Sequence, residues 1–174
     1  MISPRRYDLV LALYPQSRGF AFVVFEGSLA PVDWGVRHAR GPGDKNEHCL
    51  RHIMTIFTLH SPDVLVLQDT SEGGTRRAPR IRELNYRVTE LGETHGTPVH
   101  AFSQAQVLRR FGERGVTTRQ GIAELIAKHT PALGLYVPPA RKWWMRGHPN
   151  MGIFDAAALA WMFFDTIDGD WQPA

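Results

Sequence analysis

Residues 7–38 read YDLVLALYPQSRGFAFVVFEGSLAPVDWGVRH, and this stretch decides the fold. Three runs rich in β-branched and aromatic residues, at 7–13, 19–26 and 29–38, are separated by short segments that contain proline, glycine and serine. Runs of this length joined by turn-forming residues are typical of β-strands that pair with their sequence neighbours. The stretch therefore predicts a three-strand antiparallel meander.

The hydrophobic period changes after the meander. Apolar residues every three or four positions over 44–59 predict a helix, and residues 64–68 (VLVLQ) predict a buried strand. A second helical pattern ends near Gly96 and is followed by a short apolar run at 99–102. The alternation of helix and strand predicts that these later strands join the meander in one mixed sheet.

Two capped helices are expected next. Ser103 with Gln106, and Thr117 with Gln120, have the hydroxyl-to-amide spacing of a capping box. The proline-rich residues 133–147 are expected to be irregular and to precede an apolar last helix that ends at residue 167. The predicted fold class is thus α/β, a mixed five-stranded sheet flanked by helices.

The composition is that of a folded protein. The chain has 174 residues, of which 43% are hydrophobic and 21% charged, and we expect one domain over residues 1–174. It has no apolar run as long as the roughly 20 residues of a membrane span, so a cytoplasmic protein without membrane contact is predicted. The single cysteine, Cys49, excludes an internal disulfide and a cysteine-rich zinc site.

The positive charge is carried mainly by arginine. Lys and Arg total 20 against 17 Asp and Glu, a net charge of +3, and all but three of the 20 are arginines. They cluster at 76–87, 109–119 and 141–146. Arginine binds phosphate in bidentate fashion and stacks on bases better than lysine does, so the clusters indicate an anionic partner such as nucleic acid.

Four segments, taken with this element order, resemble the RuvC-type Holliday-junction resolvases, a branch of the RNase H-like superfamily. They are LYPQSRGFAF at 13–22, DVLVLQD at 63–69, the pair of segments at 97–107 and 115–119, and FDAAALA at 154–160. The segments follow the family's order and span nearly the whole chain. The resemblance implies an RNase H-like fold, a nucleic-acid partner and a homodimer.

The resemblance also implies a metal site, and this chain departs from it. In the family, four carboxylates on two strands and the last helix hold two Mg²⁺ ions that cut a phosphodiester. Here the first acid position is Tyr14 and the fourth is Ala158, while Asp69 and Asp155 match the other two. His148 is a further candidate ligand near the last helix. A phenol does not replace a bridging carboxylate at neutral pH, so Mg²⁺ is expected to bind weakly or not at all.

The residues expected to contact nucleic acid fall in two segments. One follows the fourth strand and the other interleaves cations with two indoles, as in surfaces that neutralise phosphate and stack bases. These residues are Arg76, Arg77, Arg80 and Arg82, and Arg141, Lys142, Trp143, Trp144 and Arg146. The structural alternatives are a solvated basic loop for the first segment and a tryptophan anchor for the second.

The sequence thus predicts a nucleic-acid-binding protein, for DNA that includes branched forms, with degenerate nuclease activity. One alternative is a Mg²⁺-dependent, structure-specific endonuclease that uses Asp69 and Asp155. Another is an assembly subunit whose arginines meet an acidic protein. Asp69 and Asp155 also have plain structural interpretations, as a turn acid and as a first-turn helix acid.

Overall fold

The computed structural model describes residues 9–71, 77–140 and 147–168. Its elements in chain order are β1 (Val10–Gln16), β2 (Gly19–Phe25), β3 (Pro31–His38), α1 (Lys45–His60), β4 (Val64–Gln68), α2 (Pro79–Thr94), β5 (Val99–Phe102), α3 (Gln104–Gly112), α4 (Arg119–His129), a 3₁₀ helix (Pro131–Tyr136) and α5 (Met151–Asp168). The described part of the chain is thus an alternation of strands and helices after an initial meander.

The sheet has five strands in the order β3-β2-β1-β4-β5. β1 pairs antiparallel with β2, and β2 with β3, whereas β4 pairs parallel with β1 and with β5. The predicted fold class, a mixed five-stranded sheet of a meander and two further strands, is confirmed. The antiparallel half follows from short turns, and the parallel half requires the helical crossovers through α1 and α2.

Helices cover both faces of the sheet. One face packs against α3, α4 and α5, and the other packs against α1 and α2. β1 and β2 lie in the middle and are buried on both faces, which explains why their sequences are almost continuously apolar rather than alternating. Small residues of α5, among them Ala156, Ala157 and Ala160, allow this helix to approach the sheet closely.

The β1–β2 hairpin is tighter than the sequence predicted. We expected the strand to end at Leu13 and residues 14–18 to form a turn, but Tyr14, Pro15 and Gln16 continue β1 and pair with β2. Proline is tolerated there because the pairing of β1 with β4 ends at Leu13, so no partner on that side needs its missing N–H. Tyr14 therefore lies within a paired strand, opposite Ala21 of β2, and not in a turn.

Two further predictions concern helix starts. The capping box of Ser103 and Gln106 is confirmed, with backbone-to-side-chain distances of 3.1 and 2.7 Å. The box predicted at Thr117 was wrong, because Thr118 is the N-cap and its hydroxyl accepts from the Gly121 amide at 3.0 Å. The Gln120 side chain instead donates to the Pro138 carbonyl at 2.8 Å.

The segment predicted to be irregular contains one regular element, the 3₁₀ helix, and its residues 141–146 lie outside the described part of the chain. The last helix is two residues longer at its start than the sequence indicated. Among the described residues, no helix combines the length and apolar character that crossing a bilayer requires.

Candidate functional site

The end of β1 carries the first residue of the site. Tyr14 belongs to the sheet face that α5 covers, together with Val10 and Ala12, because side chains two positions apart on a strand share a face. Its exposed fraction is 9%. Tyr14 and Asp155, on α5, line the same small pocket. The fold therefore brings the phenol to the carboxylate.

The carboxylate of Asp155 is held by an arginine. Its side chain is 14% exposed, and Arg119, the first residue of α4, donates from Nε to Oδ1 at 3.2 Å and from Nη2 to Oδ2. This is the bidentate fork that a guanidinium makes with a carboxylate. Burial raises the pKa of Asp155, and the positive charge of Arg119 opposes that rise. Both carboxylate oxygens are thus engaged by a cation that belongs to the protein.

A second arginine contacts Tyr14. Arg77 Nη1 donates to the phenol oxygen at 3.2 Å, Nη2 donates to the Pro15 carbonyl, and the guanidinium carbon lies 5.1 Å from the centre of the Tyr14 ring. Burial raises the pKa of the Tyr14 hydroxyl, as does the nearby charge of Asp155, while Arg77 and Arg119 oppose the rise. Tyr14 is therefore a neutral phenol at physiological pH.

The register of β4 decides which polar residue faces Tyr14. Leu13 pairs with Leu67, so Gln68 is the residue beside Tyr14, and it lines the pocket of Tyr14 and Asp155. Asp69, the next residue, points to the opposite face and lines a different cleft, beside α2. Its Oδ1 accepts from the backbone amide and the hydroxyl of Ser71, at 2.9 and 2.5 Å. The structure thus corrects the expectation that Asp69 lies with Asp155: it places Gln68 there instead.

Neither Ala158, at a position where the family has an acid, nor His148, the further candidate ligand, adds a ligand to this pocket. Ala158 lines it with a methyl group and is 2% exposed. His148 is exposed just before α5, where its Nδ1 accepts from the Asn150 amide at 3.2 Å, and it lines the neighbouring cleft. In the described ranges, no group of three or more His, Cys, Asp or Glu residues is placed to hold a metal ion.

Arg77 and Arg80 are half-buried arginines whose hydrogen bonds go to neutral acceptors. Both anchor the β1–β2 hairpin through carbonyl oxygens: Arg80 donates to Gln16 at 2.9 Å and to Ser17 at 3.3 Å. Arg80 also donates to the Asn46 amide oxygen at 3.0 Å. All of these acceptors are neutral, and no carboxylate that the structure describes forms an ion pair with either arginine. Their charges are thus held in place by neutral acceptors, although the Asp155 carboxylate lies near enough to Arg77 for the two charges to interact.

Arg77, but not Arg80, borders an open cleft of about 630 Å³ between the hairpin, the start of α2 and the start of α5. It is lined by three arginines and two histidines, and no aspartate or glutamate is among its described lining residues. The arginines are Arg18, Arg77 and Arg119, the last of which is paired with Asp155, and the histidines are His38 and His148. A cleft lined by one sign of charge concentrates ions of the other sign, so this one suits an anion.

Other predicted contact residues lie elsewhere. Arg82 lines the cleft beside Asp69 rather than this basic cleft. Arg76 and the cluster of cations and indoles lie outside the described residues; that cluster is Arg141, Lys142, Trp143, Trp144 and Arg146. The roles assigned to all of these remain predictions.

Sequence reasoning missed two members of the site. Side chains two positions apart on a strand share a face, and Val64 and Val66 face α5. The same alternation therefore predicts that Gln68 also faces α5. The pairing of Arg119 with Asp155 spans 36 residues and depends on how α4 crosses α5, so no local pattern indicates it.

Comparison with known proteins finds similarity only at the level of structure. No protein-family profile and no curated protein sequence matches the chain. Thermus thermophilus RuvC superposes with a TM-score of 0.64 at 17% identity, over 92% of this chain and 96% of that one. The T. thermophilus RuvC solved with a Holliday-junction substrate gives 0.64 at 12% identity, over 92% and 97%. The yeast mitochondrial Holliday junction resolvase Ydc2 gives 0.63 at 14% identity, over 94% and 83%.

The chain has the RuvC-like, RNase H-like fold. The resemblance seen in the sequence is confirmed at this level, over more than nine-tenths of the chain.

The residues present do not fit the pair of Mg²⁺ ions that the resemblance implies for a RuvC-like fold. Hard divalent cations require several oxygen ligands, mainly carboxylates. This pocket offers a neutral phenol, the two amides of Gln68 and Gln104, a methyl group and one carboxylate that already binds a guanidinium. The disagreement is chemical, because a bound cation would have to displace Arg119 and would still find a single carboxylate.

Proposed function

We propose that this protein binds nucleic acid in the basic cleft, through the phosphate backbone, and lacks metal-dependent cleavage. The observation that carries the proposal is the replacement of a carboxylate site by arginines: Arg119 engages Asp155, and the hydrogen bonds of Arg77 among the described residues go to neutral acceptors, the Tyr14 hydroxyl and the Pro15 carbonyl. Cleavage by two metal ions needs acidic oxygens, whereas binding of phosphate needs fixed positive charge.

The electrostatics of the cleft favour an anion, and the geometry of its arginines suits phosphate. A guanidinium held by hydrogen bonds to backbone carbonyls loses little freedom when it receives a further acceptor, and its fork matches phosphate oxygens. Arg18 projects from the exposed turn of the hairpin at the edge of the same cleft. A cleft of this openness, with charges along its rim and floor, fits a polymer backbone better than an enclosed small ligand.

The structural relatives support the same partner class. One of them, T. thermophilus RuvC, was solved with a Holliday-junction substrate. We therefore place DNA, including branched DNA, first among the nucleic acids to be tested. The proposal also includes the homodimer that the resemblance implies, the single-domain organisation and the cytoplasmic location.

The salt dependence of binding tests the proposal. Binding of labelled duplex, four-way junction and single-stranded DNA would be followed by fluorescence anisotropy in EDTA over a range of salt concentrations. Arg18→Gln removes an exposed cleft cation and should lower the slope of log K against log salt by about 0.7–0.9, the value of one phosphate contact.

Arg87→Gln is the matched control, because Arg87 pairs with Glu47 and is not among the residues that line the cleft. It should leave the slope unchanged. Equal slopes for the wild type and Arg18→Gln would remove the cleft from the proposal, and absence of binding to every DNA form would refute it.

A further inference from the structure

A second cleft lies on the other side of β4, toward α2, and has a different chemistry. Its volume is about 290 Å³, near the lower end of the range for small-molecule sites. Polar residues and one large aromatic line it, rather than a ring of cations. They are Gln68, Asp69, Thr70, Ser71, Arg82, Asn85, Tyr86 and Thr89, with the apolar Leu67 and Ala101.

Tyr86 presents an open aromatic surface to this cleft. It is 65% exposed, and among the described residues it has no ring contact or hydrogen bond. Arg82 is one helical turn earlier on α2, so the two side chains share a face of the helix. An exposed ring beside an arginine is the combination on which unpaired bases stack in proteins that bind single strands.

Two side-chain oxygens of the cleft, on Asp69 and Asn85, accept no hydrogen bond from the described residues. Asp69 uses Oδ1 for its two bonds from Ser71, and Oδ2 has no partner in the described ranges. Asn85 is 7% exposed and donates from Nδ2 to the Gln68 carbonyl at 2.9 Å, which fixes its amide orientation. Its Oδ1 is buried with no hydrogen-bond partner among the described residues.

We infer that this cleft is a subsite for one unpaired nucleobase, which stacks on Tyr86 and presents an amino group to Asp69. The inference rests on the proposed function, since the base would belong to the strand whose backbone lies in the basic cleft. Ala78 lines that cleft and Tyr86 lines this one, and eight residues of helix separate them by about 12 Å. One strand that crosses the start of α2 can reach both.

The chemistry of the acceptors sets a preference among bases. Cytosine, adenine and guanine each carry an exocyclic amino group, and a carboxylate accepts well from such groups. Thymine and uracil present their only ring N–H between two carbonyl oxygens, which a carboxylate repels. The subsite should therefore favour cytosine over thymine, two bases of similar size.

Single-stranded homopolymers test the inference. Binding of labelled oligodeoxycytidine and oligodeoxythymidine would be measured in EDTA for the wild type, Tyr86→Ala, Tyr86→Phe and Asp69→Asn. Tyr86→Ala should weaken binding by about fivefold or more with an unchanged salt slope, because stacking is lost and no phosphate contact is. Tyr86→Phe keeps the ring and should bind as the wild type does. Asp69→Asn should reduce the preference for deoxycytidine.

Tyr136→Ala serves as the control. Tyr136 is also partly exposed, at 37%, but it packs on Trp34 and is not among the residues that line this cleft. Equal affinities of Tyr86→Ala and Tyr136→Ala, or a base preference that Asp69→Asn leaves intact, would overturn the inference. If oligonucleotides bind and only Arg18→Gln weakens them, the subsite fails while the proposed function stands. If the wild type binds neither single-stranded oligonucleotide, the subsite fails, whereas the proposed function fails only if duplex and four-way junction DNA are not bound either.

Discussion

Replacement of Arg119 by alanine is the most informative perturbation of the site. Asp155 would keep its buried position on α5 but lose both hydrogen bonds to its carboxylate oxygens. A carboxylate without a partner in a buried position is penalised by desolvation, and the pKa of Asp155 is already raised by burial even with Arg119 present. The variant should therefore be less stable at neutral pH.

The size of the loss follows from the exposure of the two partners. Removal of one member of a buried ion pair costs about 3–5 kcal/mol, whereas an exposed pair contributes about 0.2–1 kcal/mol. The Asp155 side chain is 14% exposed and that of Arg119 is 48% exposed, so this pair lies between the two classes. We expect a loss of about 2 kcal/mol, which lowers the melting temperature of a chain of this length by about 4–8 °C.

Thermal unfolding at several pH values measures the effect. An acid whose pKa is higher in the folded than in the unfolded state contributes stability when protonated, and that contribution is lost as the pH rises through the folded pKa. Loss of Arg119 raises the pKa of Asp155 further. The deficit of the variant should therefore be largest at neutral pH and shrink as the pH falls through the raised pKa of Asp155, where the carboxyl is protonated.

The exposed pair of Arg87 and Glu47 provides the control, since Arg87→Ala removes an arginine from an ion pair with exposures of 32% and 54%. A deficit for Arg119→Ala no larger than that of Arg87→Ala, or one that does not change with pH, would refute the role given to the Arg119–Asp155 pair.

Three further predictions concern the same region. Gly19→Ala should lose about 2–3 kcal/mol in chemical denaturation, because the added Cβ would overlap the backbone carbonyl of the facing β3 strand; a stability equal to the wild type would contradict the tight hairpin. An ultraviolet titration should show one tyrosine that ionises above the ordinary pKa of a phenol, since burial and Asp155 raise the pKa of Tyr14, and Tyr14→Phe should remove that step. The double variant Tyr14→Asp with Ala158→Asp should bind Mn²⁺ in calorimetry only when Arg119 is also changed to Gln. The reason is that the Arg119 guanidinium otherwise competes for Asp155. Binding of Mn²⁺ with Arg119 intact would show that the arginine does not block the site.

Much of the fold could be predicted because its signals are local. The strand runs, the helix periods and the Ser103 cap each depend on residues close together in the chain. The hairpin was misjudged because Pro15 and Ser17 are turn-forming residues, and only the end of the β1–β4 pairing at Leu13 shows why proline fits within this strand.

The site was less predictable because its contacts are distant in sequence. Motif similarity aligned Asp69 with a family acid, although the alternation of β4 places Gln68 on the face of Tyr14. Arg77 and Arg80 were predicted to contact nucleic acid just beyond the fourth strand, and that role remains a prediction; their anchoring to hairpin carbonyls is a tertiary feature that no local pattern indicates. The same holds for Arg119, whose partner depends on the packing of α4 against α5.

One gel experiment distinguishes binding without metal-dependent cleavage from nuclease activity. Labelled four-way junction, duplex and single-stranded DNA would be incubated with the protein in EDTA, in Mg²⁺ and in Mn²⁺, with retention and cleavage scored together. We expect retention in EDTA and intact DNA in both metals. Cleavage that requires metal and disappears in Asp155→Asn would contradict this expectation, because the single carboxylate would then have to serve a metal ion despite Arg119.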